Sequence, residues 1–252
     1  MNSALCVVLA GPEQAANVGF VARTMACYRL TDLRIVGSPG IAADGAARKT
    51  GKAVPEVLDG ARYFPSLSDA IADCGQVFGF TRRSRDPSQR IEDLDPAARA
   101  WRCNGPGGVS ALVFGRESQG LFREETLLLT HLVRIPLLSE TLSLNVSHAL
   151  AIGLHAFLGG GESVPGTEAD SPGTQAGASG AEPEPARKGY PTRAEAAQAL
   201  DGMLAALDAA GFFKGGKQEA QKEYVRLLWQ RMNPDRREFD FLSGLLRSLR
   251  IS

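Results

Sequence analysis

Short apolar runs alternate with longer amphipathic stretches through the first 158 residues, and this alternation constrains the fold more than any other feature. The runs at residues 4–10, 33–36, 76–80, 110–114 and 132–135 are bounded by glycine, proline or charge. Their lack of a polar face suits strands buried on both sides. Between them, residues 15–28, 67–73, 95–101 and 124–131 carry helical periodicity, and residues 145–158 form a strongly apolar closing helix. Strand and helix in turn predict βαβ units, hence an α/β domain with a parallel sheet. With 252 residues, 44% of them hydrophobic, the chain can bury one sizeable core and a small appendage.

The pattern breaks at Gly159. Residues 159–189 are rich in Gly, Pro, Ala and Glu and contain no aromatic side chain. Such a segment buries too little surface to offset its ordering entropy and reads as a flexible linker. It carries Glu162, Glu168, Asp170, Glu182 and Glu184 before any basic residue, so a chain of zero net charge is mildly basic elsewhere. From Tyr190 the pattern is purely helical. Residues 193–210 repeat Ala197, Leu200, Leu204 and Leu207, residues 217–232 place Tyr224, Leu227, Leu228 and Met232 on one stripe, and residues 235–249 start after Asn233-Pro234. The expected organisation is a domain at 1–158, a linker at 159–189 and a small all-α extension at 190–252, marginal as an independent unit.

Several chemistries are unsupported. Cys6, Cys27, Cys74 and Cys103 form no CxxC pair and read as buried apolar thiols. His131, His148 and His155 make no HExxH pattern, so no metal site is expected, and no Ser/His/Asp triad, P-loop or GxGxxG is evident. Residues 4–10 are too short for a signal h-region or a membrane span, which points to a cytoplasmic protein without membrane association.

Polar residues cluster where strands end. Asn17 and Arg23 follow the first run, Gly115, Glu117 and Gly120 the fourth, and Ser143, Leu144 and Asn145 precede the last helix. Strand ends are where open α/β sheets bind ligands. Asn17, Ser143 and Asn145 each read equally as helix caps or as ligand contacts. Arg23 reads as a solvated arginine or as a functional one, and His148 as a partly buried structural histidine or a substrate contact.

Together these segments resemble a known family. N-x-G-x-x-x-R (Asn17 to Arg23), F-G-x-E-x-x-G-L (Phe114 to Leu121) and the S-L-N-V-S-x-A run (Ser143 to Ala149) are similar, in order and placement, to the three motifs of the SpoU/TrmH branch of SPOUT RNA methyltransferases. Phe80-Thr81-Arg82-Arg83-Ser84-Arg85 and the helical tail resemble the TrmJ-like subgroup, with Phe80 and Arg82 departing from the usual Gly and Ser. The resemblance implies a trefoil-knotted α/β fold, a homodimer and S-adenosyl-L-methionine as methyl donor. The implied reaction is 2′-O-ribose methylation of tRNA, at nucleotide 32 of the anticodon loop. Ribosomal RNA or another tRNA position is the alternative substrate, and a non-catalytic RNA-binding protein is the alternative class. By position, Thr81, Gly115, Glu117, Gly120, Ile135, Leu144 and Asn145 would bind the cofactor. Arg23, Asn17, Glu117 and Asn145 would serve catalysis, with Glu117 helping to hold Arg23 or the RNA. Arg82, Arg83 and Arg85 would contact RNA. Lys217, Lys222, Arg226 and Arg231 of the tail read as either a second RNA arm or a solvated face.

Overall fold

The computed structural model describes residues 5–82, 89–105, 107–139, 143–159, 189–214 and 217–249. Seven strands, β1 (Leu5–Ala10), β2 (Leu33–Val36), β3 (Arg62–Phe64), β4 (Cys74–Phe80), β5 (Ile91–Asp93), β6 (Val109–Phe114) and β7 (His131–Arg134), form one sheet. Their order is β3-β2-β1-β6-β4-β7-β5, and every pairing is parallel.

Strand β1 is buried throughout because helices cover both faces. Leu5, Val7 and Leu9 join a core with α1 (Ala15–Cys27), α3 (Pro55–Asp59), α5 (Leu94–Asn104) and α7 (Val146–Leu158). Cys6, Val8 and Ala10 face the opposite core, which contains Leu67, Ile71, Leu121 and Leu129. Two-sided burial is what makes these strands unbroken apolar runs.

The structure departs from the sequence reading in several places. Strands β3 and β5 were not expected. Each is three residues long and lies at a sheet edge, so neither needs an apolar run. Helices α2 (Gly45–Thr50) and α3 are too short to display a period. Residues 124–131 are not one helix: α6 spans Arg123–Thr126, and His131 opens β7. The Thr130 hydroxyl binds both the N–H and the C=O of Val77 at 2.7 and 2.9 Å, which draws the chain into the sheet. Helix α4 stops at Ala70, and Asp73 pairs with Arg34 instead of extending it. Only Cys6 and Cys74 are buried, whereas Cys27 and Cys103 are exposed.

Arg34 on β2 is 2% exposed. It donates to both Asp32 and Asp73 and, at 2.6 Å, to the Ala70 carbonyl. Burial opposes ionisation of the two carboxylates, but the arginine bonds prevail and hold both below the usual range.

Of the expected linker, residues 160–188 lie outside the described residues; past them come α8 (Arg193–Ala209), α9 (Gln218–Met232) and α10 (Arg236–Leu249). Thr192 and Glu195 form a capping box at the start of α8. Asn233, at φ 35°, ends α9 in the left-handed region. The expected stripe on α9 divides: Leu227 turns inward, joined by Trp229 from outside the stripe, whereas Tyr224, Leu228 and Met232 are exposed. Ala194 N–H donates to the Ala72 carbonyl at 3.0 Å, which ties the start of α8 to the turn before β4. Among the described residues no helix is long and apolar enough to cross a membrane.

Candidate active site

A cavity of about 800 Å³ opens at the carboxyl ends of β4, β6 and β7, beside the start of α1. Phe80, Thr81 and Arg82 follow β4, the Phe114–Leu121 segment follows β6, Ile135 and Leu137 follow β7, and Ser143 to Val146 lead into α7. This is where an open parallel sheet places its ligand.

Of the residues singled out in the sequence, the cavity collects Asn17, Thr81, Arg82, Gly115, Glu117, Gly120, Ile135, Ser143, Leu144 and Asn145. It does not collect Arg23, which is exposed on α1 and absent from the lining. Six helical residues rotate a side chain about 120° away from Asn17. Arg83 and Arg85 lie outside the described residues. His148 is exposed on α7, not partly buried.

A chain of hydrogen bonds joins the three motifs. Glu117 Oε1 accepts from Asn17 Nδ2 at 2.8 Å, and Asn17 Oδ1 accepts from Asn145 Nδ2 at 2.8 Å. Asn145 Oδ1 then accepts from the Ser147 N–H and hydroxyl at 2.9 and 2.8 Å. Asn145 is thus both the cap of α7 and a partner of Asn17. Asn17 is not a cap: Gln14 holds that position without a side-chain bond, and Asn17 is buried in the first turn. Glu117 supplies the missing acceptor, binding the N–H groups of Glu13 and Gln14 at 2.9 and 3.3 Å. Its carboxylate therefore pairs with the head of α1, not with Arg23. Glu13 returns the contact. Its carboxylate accepts the Ser118 hydroxyl and N–H at 2.6 and 2.8 Å, bonds that lower its pKa.

Glycine shapes the cavity wall. A Cβ on Gly115 would sit 2.2 Å from the Gly120 carbonyl carbon and 2.3 Å from the Leu121 nitrogen. Gly120, at φ +69°, closes a tight hairpin in which its N–H donates to the Arg116 carbonyl at 2.7 Å. Bare backbone is thereby presented beside Ile135 and Leu144, and the Phe80 and Phe114 rings stack 4.4 Å apart at the strand ends. The combination fits a flat heteroaromatic ring between aliphatic side chains, with backbone groups reading its edge. Sequence reasoning missed Gln14, Phe114, Arg116 and Leu137 as lining residues. Arg116 stood as a motif spacer, yet it pairs with both Glu125 oxygens at 3.0 Å and lies 3.8 Å over the Phe122 ring. The aromatic ends of β4 and β6, in register as Phe80↔Phe114, were the legible signal for the ring pair.

Fold and site together define an α/β protein with a glycine-walled cavity at its strand ends. The SpoU rRNA Methylase family matches residues 4–155, and the chain belongs to that family of S-adenosylmethionine-dependent RNA methyltransferases. The tRNA (cytidine-2′-O-)-methyltransferase TrmJ of Methanocaldococcus jannaschii is 32% identical over 152 residues, 60% of this chain and just under two thirds (66%) of that protein. The tRNA (cytidine/uridine-2′-O-)-methyltransferase TrmJ of Pectobacterium atrosepticum is 29% identical over 244 residues, 96% of this chain and 95% of its own. The crystal structure of TrmJ from Z. mobilis ZM4 shares the fold with a TM-score of 0.75, at 23% identity, over 97% of this chain and 98% of that one.

Proposed function

We propose that the protein transfers a methyl group from S-adenosylmethionine to the ribose 2′-hydroxyl of a cytidine or uridine in tRNA, at nucleotide 32 of the anticodon loop. The observation that carries the reading is the single hydrogen-bonded chain Glu117–Asn17–Asn145, which joins all three motifs at the glycine-walled cavity. The match to the Pectobacterium relative across both the pocket region and the helical extension supports tRNA as the substrate.

The cofactor supplies an already activated methyl group on a sulfonium centre. Ile135 and Leu144 would flank its adenine, and the backbone at Thr81, Gly115 and Gly120 would hydrogen-bond it. Glu117, Asn17 and Asn145 hold the three segments in register around it. Attack would pass the 2′-hydroxyl proton to a neighbouring phosphate or to water, with S-adenosylhomocysteine as the leaving group. Arginine stays protonated, so Arg23 stabilises the developing alkoxide and grips a neighbouring phosphate instead of acting as base. The exposed position of Arg23, away from its own cavity, supports a homodimer in which the arginine of one copy serves the pocket of the other. Phe20 on α1 and Ile152 on α7 are about 40% exposed and support the same face as the dimer contact. Arg82, at the cavity rim, is the first RNA contact, with Arg83 and Arg85 continuing the basic run. The setting is cytoplasmic, and the chain divides at 1–158, 159–189 and 190–252.

The test is methyl transfer from labelled S-adenosylmethionine to unmodified tRNA and ribosomal RNA transcripts, with sedimentation for the dimer. Labelling of tRNA by a dimer supports the proposal. Labelling of ribosomal RNA alone replaces the substrate with the one after which the SpoU rRNA Methylase family is called.

A further inference from the structure

The wall that carries Gly115 to Leu121 is braced from behind by the helical extension. Gln230 on α9 donates its side-chain amide to two carbonyls, Thr126 and Leu129, both at 2.8 Å. These lie at and just beyond the end of α6, where helix carbonyls lack intrahelical partners. The Thr126 carbonyl also receives a long 3.5 Å bond from the Leu129 N–H. Two turns earlier on α9, Glu223 pairs with Arg123 at 2.6 Å, at the other end of α6. At the end of α9, Asn233 contacts His131 at 3.4 Å. Helix α9 therefore grips α6 at both ends and touches the strand that follows.

Helix α6 is in turn coupled to the cavity. Glu125 accepts the Phe122 N–H at 2.7 Å and both bonds from Arg116. Arg116 lines the cavity and pairs through its backbone with Gly120. Leu121 and Leu129, at the two ends of this segment, are buried against Gly79 of β4. Hydrogen bonds thus run from Gln230 through the α6 segment to Glu125, Arg116 and the glycine hairpin.

We infer that Gln230 is a positioning residue for the methyl-donor pocket, so that the extension sets cofactor affinity in the absence of RNA. The inference rests on the pocket being the S-adenosylmethionine site and is independent of which RNA is methylated. Gln230 touches neither cofactor nor substrate. It fixes α6, and α6 fixes Arg116 and the hairpin.

The experiment uses the full chain without RNA. Equilibrium binding of S-adenosylmethionine is measured for wild type, Gln230→Leu and, as a control on the exposed side of α9, Tyr224→Ser. Amide hydrogen exchange of each cofactor-free protein is followed over residues 115–129 and over β6. Losing the two donated bonds should weaken binding about three- to ten-fold. Exchange should quicken in residues 115–129 while β6 keeps its protection. Tyr224→Ser should match wild type in both. Unchanged affinity for Gln230→Leu overturns the inference. So does loosening that spreads equally through β6, or that Tyr224→Ser reproduces. Failure of the wild type itself to bind S-adenosylmethionine is a separate result: it sinks the pocket assignment and not merely the brace.

Discussion

Glu117 and Asn17, one hundred residues apart in sequence, meet at 2.8 Å and lock the hairpin after β6 to the first turn of α1. The same carboxylate caps the N–H groups of Glu13 and Gln14, while Glu13 holds Ser118 in return. A glutamate flanked by glycines thus anchors backbone, and its contribution to the site is geometric. Glu117→Ala is expected to cost about 1 kcal/mol, as loss of a helix cap does. It should also weaken S-adenosylmethionine binding. Glu117→Gln keeps an acceptor for Asn17 and should fall between the two. Urea denaturation and calorimetric titration measure both effects. Full cofactor affinity in Glu117→Ala contradicts the anchoring role.

Gly115→Ala tests the wall itself. The added methyl has no room beside Gly120 and Leu121, both of them backbone contacts, so the hairpin must open. Cofactor affinity should drop by about ten-fold or more, in keeping with the 1–3 kcal/mol cost of overpacking. An alanine variant that binds as wild type means the hairpin does not line the methyl-donor pocket.

Arg23→Ala separates binding from chemistry. Because Arg23 lies outside its own cavity, cofactor affinity should stay within about two-fold, while transfer to RNA falls by about a hundred-fold or more, the scale of removing a transition-state donor. Equal loss of both places Arg23 in the cofactor site and removes the proposed division of roles.

Stability should depend on Arg34 more than on any surface ion pair. Arg34→Ala takes the shared cation from Asp32 and Asp73, leaving Asp32 only its Arg62 contact and removing the bond to the Ala70 carbonyl. The expected loss is about 3 kcal/mol, the low end for a broken buried pair, since both carboxylates keep some water. A change in urea midpoint equivalent to less than 1 kcal/mol contradicts this.

In the extension, Arg236 and the Thr192 N–H hold the Glu195 carboxyl at about 2. A depressed carboxylate stabilises the folded state above its unfolded pKa of about 4.3 and loses that contribution as pH falls toward the folded value. Wild type should exceed Glu195→Gln in stability by a constant margin from pH 7 to 5, a margin that shrinks below about 4.3 and closes near 2. The pair is largely exposed, so the margin should be small and sensitive to salt. A margin that grows on acidification reverses the sign and refutes the pairing.

What the sequence revealed follows from which elements are buried on both faces. β1, β2, β4 and β6 announced themselves because each needs apolar side chains above and below. β3 and β5 did not, since edge strands need no such run. The cavity was legible as strand-end motifs, and ten of the expected residues line it. Which partner each side chain takes was not legible. Asn17 could cap its own helix by local chemistry. Only the approach of the hairpin after β6 turns it inward and gives the cap to Glu117. The brace by Gln230 lay equally out of reach, because helical periodicity fixes a face but not its neighbour. The knotted threading is an expectation from the resemblance alone.

The central claim is ribose methylation at a defined nucleotide. The direct measurement is nucleoside mapping of tRNA transcripts after incubation with labelled S-adenosylmethionine and the full chain. The expected result is one 2′-O-methylated cytidine or uridine at nucleotide 32, lost in Arg23→Ala. Methyl groups found only on a base, or no methylation of tRNA at all, would contradict it.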